Sequence, residues 1–315
     1  MKEDTPRIAA LFSSATEILY GLGLETQIVA VSHESDFPEQ AKHKPSVTFS
    51  NIADDRSSVG IDSQVRQLTQ QGNALYEIDR EKLIALQPDL IVTQQQCDVC
   101  AVKYEDVLEV VRSHESLADT QIIALNPISL GEILADIAEV GRAARCAEVA
   151  SAYIKSLQAR ITRVSSLTVD IPAEDRPRVA CIEWIEPMML AANWVPELVS
   201  MAGGDHGLTQ GGRHSAYVGW EALLRYDPEI LIVSPCGFDL SRTITEAQVL
   251  FQQRGWSTIS AVQNKRVFAL DGNAYLNRSG PRIVDSLEIL AHLIQPERFD
   301  VPTKVTEWMT VCHPL

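Results

Sequence analysis

The 315-residue sequence predicts an α/β protein of two Rossmann-like lobes joined by one long α-helix, with a ligand cleft between the lobes. Three observations predict it. First, the chain repeats itself: Leu83-Ile-Ala-Leu-Gln-Pro-Asp-Leu-Ile-Val-Thr93 and Leu223-Leu-Arg-Tyr-Asp-Pro-Glu-Ile-Leu-Ile-Val233 share a helix end, a Pro-acid turn and an apolar run. Short Leu/Ile/Val runs bounded by turn signals suit buried parallel strands. Second, apolar residues from Ile133 to Val164 recur at near-helical steps, interrupted only by Gly141. As one element of ~35 residues this segment would span about 50 Å and act as a strut. Third, the loops richest in polar and aromatic residues (32–38, 94–104, 184–194, 235–242 and 271–281) each follow a predicted strand. Open α/β sheets bind ligands at that end.

These observations give an N-terminal lobe over 1–127, a linking helix over 128–168, a C-terminal lobe over 169–298 and a tail over 299–315. In the first lobe, strands are expected over 7–12, 28–31, 75–78, 90–93 and 121–125. Ser14 and Glu17 match a capping box for the first helix, and Asp79 caps a helix over 80–87. Residues 45–62 read as loop, 65–71 as a short helix and 104–113 as a longer one. Ser129 and Glu132 match a second capping box at the start of the strut. In the second lobe, strands are expected over 179–183, 230–234 and 266–270, with helices over 196–202, 221–226, 245–254 and 282–294.

Composition limits the function classes. Hydrophobic content of 45% and charged content of 22% are ordinary for a globular protein, and the net charge of −15 disfavours nucleic acid and anionic membranes as partners. No stretch approaches the ~18 apolar residues of a spanning helix, so no membrane insertion is expected. The acidic start and the short apolar run Ile8 to Phe12 read as a first strand rather than a secretory segment, which predicts a cytoplasmic protein, periplasmic only if a leader was removed.

Cys97 and Cys100 allow three readings: a metal half-site, a redox pair at a helix start, or small residues lining a pocket. His33 and Cys236, in other strand-end loops, could complete a metal set. His33, flanked by Glu34 and Asp36, could bind metal with a carboxylate on its second nitrogen, or hydrogen-bond locally. His206 and His214, near a Gly-rich stretch, read as surface residues. Trp184, Trp194, Tyr217, Phe238 and Tyr275 suit a flat, extended ligand, whereas Trp220 and Trp256 read as core. Asn193, Asn273, Asn277 and Arg278 add polar donors. Dinucleotide, P-loop, nucleophile-elbow and zinc-protease motifs are missing, and no carboxylate pair is marked for acid–base work, so no enzyme is expected.

Residues 76–92, 219–233 and 256–268 resemble the helical-backbone (class III) periplasmic binding proteins of ABC importers, over roughly 7–298. Within that class, Ser32-His-Glu-Ser-Asp36, Cys97-Asp-Val-Cys-Ala101, Asn193-Trp-Val-Pro-Glu197, Pro235-Cys-Gly-Phe-Asp239 and Asp271-Gly-Asn-Ala-Tyr275 are similar to a cobalamin-binding subgroup, many members of which lack an export signal. One departure is Ser35, where that subgroup typically carries Cys. The resemblance implies two lobes, a stiff hinge, a corrinoid or other tetrapyrrole such as cobalamin as the ligand, and an ABC permease as partner. The expected ligand-binding residues are His33, Glu34, Cys97, Cys100, Trp184, Trp194, Cys236, Phe238, Asn273, Tyr275 and Arg278. The alternative is a cytoplasmic metal- or redox-cofactor-binding protein using Cys97, Cys100, Cys236 and His33.

Overall fold

The computed structural model describes residues 5–53, 57–95 and 101–302, and the backbone of 308–310. The chain divides into two compact units. The first takes the residues up to 127 together with Gly131–Ser156, and the second runs from Leu157 onward; Ser57–Val59 and Ile128–Leu130 group with the second.

The first unit holds β1 (Ile8–Ala10), α1 (Ser13–Gly21), β2 (Ile28–Val31), β3 (Thr48–Ser50), α2 (Ser58–Gln70), β4 (Tyr76–Ile78), α3 (Arg80–Leu86), β5 (Leu90–Gln94), α4 (Tyr104–Ser113) and β6 (Gln121–Leu125). Its main sheet is parallel in the order β2-β1-β5-β6. The chain moves outward from β1 to β2 and, later, from β5 to β6 on the other side, so the topological switch lies between β1 and β5. Every side chain of β5 is buried, as a strand covered on both faces requires. Ala9, Leu11, Ala30, Ile91, Val107 and Val110 belong to one apolar core.

Several local expectations change. The first helix starts at Ser13 behind Phe12, earlier than the capping-box position implies, and Phe12 has no side-chain cap to offer; Thr16, expected inside the capping box, meets the Ser35 hydroxyl at 2.7 Å in the interior. Asp79 does cap α3, accepting from the Lys82 amide at 3.0 Å. The stretch read as loop contains β3, which pairs antiparallel with β4, and the start of α2. Three-residue strands are too short for a period-two pattern to register.

The expected single strut is two helices, α5 (Leu130–Ala143) and α6 (Ala147–Ser166). Arg145 takes a positive φ of 60°, and the Cys146 amide turns back to the Gly141 carbonyl at 2.7 Å, a C-terminal stop that a continuous helix cannot hold. Gly141 is what lets the helices meet: a Cβ there would lie 2.3 Å from that of Ala150. The apolar period continues across this corner because both helices bury the same kind of stripe.

The second unit contains β7 (Val179–Trp184), β8 (Met189–Leu190), α7 (Val195–Met201), β9 (Ala216–Tyr217), α8 (Trp220–Tyr226), β10 (Ile230–Val233), α9 (Leu240–Phe251), α10 (Ser260–Gln263), β11 (Val267–Leu270), α11 (Ile283–Ile294) and β12 (Trp308–Thr310). The sheet order is β12-β11-β10-β7-β8-β9, with a parallel centre of β11, β10 and β7 and antiparallel edges. α9 begins five residues before its expected start because Asp239 caps it, accepting from the Arg242 amide at 2.8 Å. Trp256 is buried and Trp220 stacks on it at 6.3 Å, as core residues. Arg160 on α6 pairs with Asp285 and Glu288 on α11.

The repeat is duplicated down to its hydrogen bonds. Gln87 and Asp227 close α3 and α8 with left-handed backbones, at φ 42° and 49°. In the first unit the Arg7 guanidinium donates to the Leu86 carbonyl, and the Arg7 amide donates to Asp89 at 2.7 Å. In the second, the Arg178 guanidinium donates to the Tyr226 and Asp227 carbonyls, and the Arg178 amide donates to Glu229 at 3.0 Å. Each arginine opens the central strand of its sheet and satisfies carbonyls that a helix end leaves without partners.

His206 corrects another expectation. It is buried, not on the surface, while His214 is exposed. The Thr209 hydroxyl donates to the Ala191 carbonyl at 2.6 Å, so Nδ1 of His206 is the donor in its 3.1 Å contact with Thr209. Nε2 is left as a buried acceptor without a partner, and burial pushes the imidazole down to about 4.

Two outcomes follow from these contacts. In an open helix, Gly141→Ala would gain about 1 kcal/mol; here denaturant unfolding should show a loss of about 1–3 kcal/mol from overpacking. For His206, the unfolded ring takes up its proton near 6.5 and the folded ring only near 4. The stability from burying it neutral is present above pH 6.5 and is lost as pH falls toward 4, by up to about 3 kcal/mol. His206→Gln should flatten that part of a stability–pH profile, whatever it does to the absolute value.

Candidate functional site

The carboxyl ends of β7, β10 and β11 bring most of the expected residues of the second unit into one connected surface. After β10, Pro235 to Phe238 form a turn closed by the Phe238 amide on the Pro235 carbonyl at 3.1 Å. Gly237 takes φ 79° at the third position, where glycine carries no steric cost. The turn exposes Cys236 and buries Phe238. Half-buried Trp184, ending β7, packs on Phe238 with ring centroids 5.3 Å apart and planes inclined at 56°. The Arg242 guanidinium carbon sits 3.8 Å over the Phe238 ring, in a cation–π contact.

The loop after β11 locks onto this turn. Asp271 Oδ1 accepts from the amides of Asn273 and Ala274 at 2.9 and 2.8 Å, and the Asn273 amide also reaches the Phe238 carbonyl. Asn277 donates through Nδ2 to the carbonyls of Ser234 and Gly272 at 2.8 and 2.9 Å. A Cβ at Gly272 would lie 1.9 Å from the Pro235 carbonyl oxygen, so only glycine fits where these two loops touch. Buried Arg278 donates to the Asn273 side chain at 2.8 Å, and Arg282 stands 5.9 Å from the centre of the buried Tyr275 ring.

Trp194 is buried, and its indole N–H donates to the Leu276 carbonyl at 2.6 Å. Leu276 holds φ 67°, an uncommon state for a branched side chain, and its amide donates to Ser286 Oγ at 3.0 Å. Trp194 therefore supports the ligand-end loop from beneath rather than offering a ring to solvent. Asn193 also has a positive φ, and its side-chain oxygen is buried without a partner.

In the first unit, β2 empties into Ser32 and His33. His33 is exposed and its Nδ1 lies 2.7 Å from Thr48 Oγ1, which also accepts from the His33 amide at 3.0 Å. Its ring lies 5.6 Å from that of Tyr76. Glu34 beside it is half-buried, and its amide donates to Ser32 Oγ at 3.2 Å. Thr48, on a strand absent from the sequence reading, thus fixes the orientation of His33.

Cys97 and Cys100 lie outside the described residues. Among the described residues no three His, Cys, Asp or Glu side chains gather as a metal site. Two contributors went unread in the sequence. Arg242 sits in the first turn of α9, which Asp239 starts ahead of the expected boundary. Glu183 ends the apolar run Val179 to Ile182 and directly precedes Trp184, a carboxylate on a buried strand that was itself a signal. Its Oε2 accepts from Ser215 Oγ at 2.7 Å, and Ser215 Oγ accepts from the Ala192 amide at 3.0 Å. Burial raises the Glu183 pKa, and the Ser215 hydrogen bond opposes that rise.

Comparison with known proteins assigns a family and a fold. A family model described as "Periplasmic binding protein" matches residues 8–274. Among curated proteins, the chain is 21% identical over 301 residues to the uncharacterized ABC transporter substrate-binding lipoprotein YvrC of Bacillus subtilis, covering 95% of this chain and 83% of that protein. It is 24% identical over 291 residues to the vitamin B12-binding protein of Vibrio campbellii, covering 91% and 88%. Among solved structures, the periplasmic vitamin B12 binding protein BtuF of Vibrio cholerae matches with a TM-score of 0.66 at 23% identity, covering 93% of this chain and 98% of that one. A periplasmic heme binding protein from Pseudomonas aeruginosa matches with a TM-score of 0.71 at 18% identity, covering 95% and 96%. At such identities the structural likeness establishes the two-lobed α/β fold alone. The family match spans most of the chain, and members of this family bind solutes rather than catalyse reactions: the chain belongs to the periplasmic binding protein family.

Proposed function

We propose that the protein is the solute-binding component of an ABC importer and that its solute is a corrinoid such as cobalamin. The observation that carries this reading is the surface at the carboxyl end of the second sheet. There, half-buried Trp184 is braced by Phe238 and Arg242, beside the half-buried side chain of Asn273, which buried Arg278 holds by its oxygen. A rigid aromatic face next to polar donors suits a broad macrocycle with apolar edges and amide substituents. The names of the curated relatives support the same class. His33, held by Thr48, is the candidate contact of the first unit. Cys97 and Cys100 keep their place as candidate contacts from sequence alone.

The cytoplasmic location expected from the N-terminal residues finds no support in the comparisons. Similar proteins are named as a lipoprotein or as periplasmic, and we propose an extracytoplasmic place of action for this chain. The metal- and redox-cofactor alternative gains no cluster of ligands among the described residues.

Calorimetry with purified protein, titrated in parallel with cyanocobalamin and hemin, tests the reading. Cyanocobalamin should bind at micromolar protein and shift the corrin absorption bands, and Trp184→Ala should weaken it by about tenfold or more, the usual effect of removing an aromatic anchor. Heat from hemin alone would replace the corrinoid with a porphyrin. Silence from both would reject the tetrapyrrole class.

A further inference from the structure

The hydrogen bonds behind β2 decide which nitrogen of His33 carries the proton. Thr48 Oγ1 has a single hydrogen, and it donates that hydrogen to Ser32 Oγ at 3.3 Å. Toward His33 it is therefore an acceptor, from the main-chain amide at 3.0 Å and from Nδ1 at 2.7 Å. Ser32 Oγ is tied in turn by the Glu34 amide at 3.2 Å, and both hydroxyl residues are buried. In the neutral ring the proton thus sits on Nδ1 and the lone pair on Nε2. Nδ1 adjoins the side-chain stem and is held back against Thr48, so in this exposed ring Nε2 lies at the outer edge. Half-buried Tyr76, packed on the core of the unit, stands beside the imidazole with centroids 5.6 Å apart and planes inclined at 31°. A histidine fixed through Nδ1–H and presenting Nε2 has the form of a metal ligand. Here the Thr48 hydroxyl takes the place that a carboxylate or main-chain carbonyl holds behind other such ligands. A cobalt already ringed by a macrocycle asks the protein only for an axial donor, so no cluster of ligating side chains is needed.

Resting on the corrinoid reading above, we infer that His33 Nε2 is an axial ligand to the cobalt of the solute, and that the protein favours corrinoids offering an exchangeable axial water over those whose axial positions are filled. Capture is then a ligand exchange: the bond from cobalt to water breaks, a bond from cobalt to Nε2 forms, and the water leaves. No electron moves and no proton is lost, because Nε2 already holds its pair while Nδ1 keeps its hydrogen on Thr48. A corrinoid with a nucleotide base on the metal must first release that base. Only its base-free fraction is competent for this exchange, which lowers its apparent affinity.

A matched pair of probes isolates the effect: aquacyanocobinamide and cyanocobalamin, which share the ring, its amides and the cyanide and differ in the nucleotide base. Both are titrated into the full chain by calorimetry at neutral pH. Relative to His33→Ala, a change at an exposed position, the wild type should shift the ratio of the two affinities about tenfold or more toward the cobinamide. The complex with cob(II)inamide, prepared by chemical reduction without oxygen, should show the triplet splitting of an axial nitrogen in its electron paramagnetic resonance spectrum. The triplet should become a doublet when the protein's histidines carry the heavy nitrogen isotope, and it should vanish in His33→Ala. Thr48→Val should weaken cobinamide by about tenfold or more, the usual effect of losing the outer partner of a ligating histidine, and Thr48→Ser should restore it. A cobinamide complex without nitrogen splitting, a splitting that survives His33→Ala, an unchanged affinity ratio, or binding of cyanocobalamin alone overturns the role of His33 and leaves the corrinoid function standing. If neither corrinoid binds the wild type, the corrinoid function falls and the ligation falls with it.

Discussion

In each unit an arginine at the start of a central strand holds together the parts on which the ligand end depends. Arg7 and Arg178 reach back to the last carbonyls of α3 and α8, while the acid beyond the following proline captures the arginine's own amide. The guanidinium cancels carbonyls at the negative end of the helix dipole, and the acid sets the register of the next strand against the first. Once β5 and β10 are locked in this way, the loops beyond them emerge at defined heights. Hydrogen bonds involving charged groups contribute about 1.5–3 kcal/mol each where they are sheltered, and less at exposed positions such as these. Their weight here is geometric: a slip of one residue would turn every side chain of a strand to the other face.

Beyond those strands the second unit relies on backbone contact rather than side-chain bulk. Gly272 admits the Pro235 carbonyl, Leu276 accepts a strained backbone, and buried Trp194 fastens that residue from below. Fastened loops of this kind lose little entropy when a ligand arrives, which favours a preformed binding surface. The half-buried Trp184 is the part of this arrangement that faces outward.

Much of this was readable from the residues. The Pro-acid turns, the apolar runs of β5 and β10 and the Asp79 cap are local signals, and local physics decided them. The same holds for the loops at 184, 235 and 271, which adjoin as their strand-end positions implied. The parts where the structure departs from the sequence expectation depend on distant partners. The α5–α6 corner is a matter of Gly141 meeting Ala150, and the sequence period runs through it unbroken. His206 is interior because the segments around 191 and 209 close over it, and a Gly-rich neighbourhood carries no sign of that. Trp194 and Phe238 looked like ligand contacts by residue type, yet their burial makes them supports of the surface and not its face. His33 was legible as a well-placed histidine, but Thr48, which orients it, sits on a strand too short to announce itself.

The short final strand has a consequence of its own. β12 pairs antiparallel with β11, Phe268 opposite Thr310 and Leu270 opposite Trp308, and so covers an edge of the second sheet. Without it, β11 would show a row of unpaired amides and carbonyls on a strand reading Val-Phe-Ala-Leu, an apolar template for pairing with other chains. Three residues near the end of the sequence thus close an edge that would otherwise offer itself to other chains, and their pairing reaches Leu270, directly before the ligand-end loop that starts at Asp271.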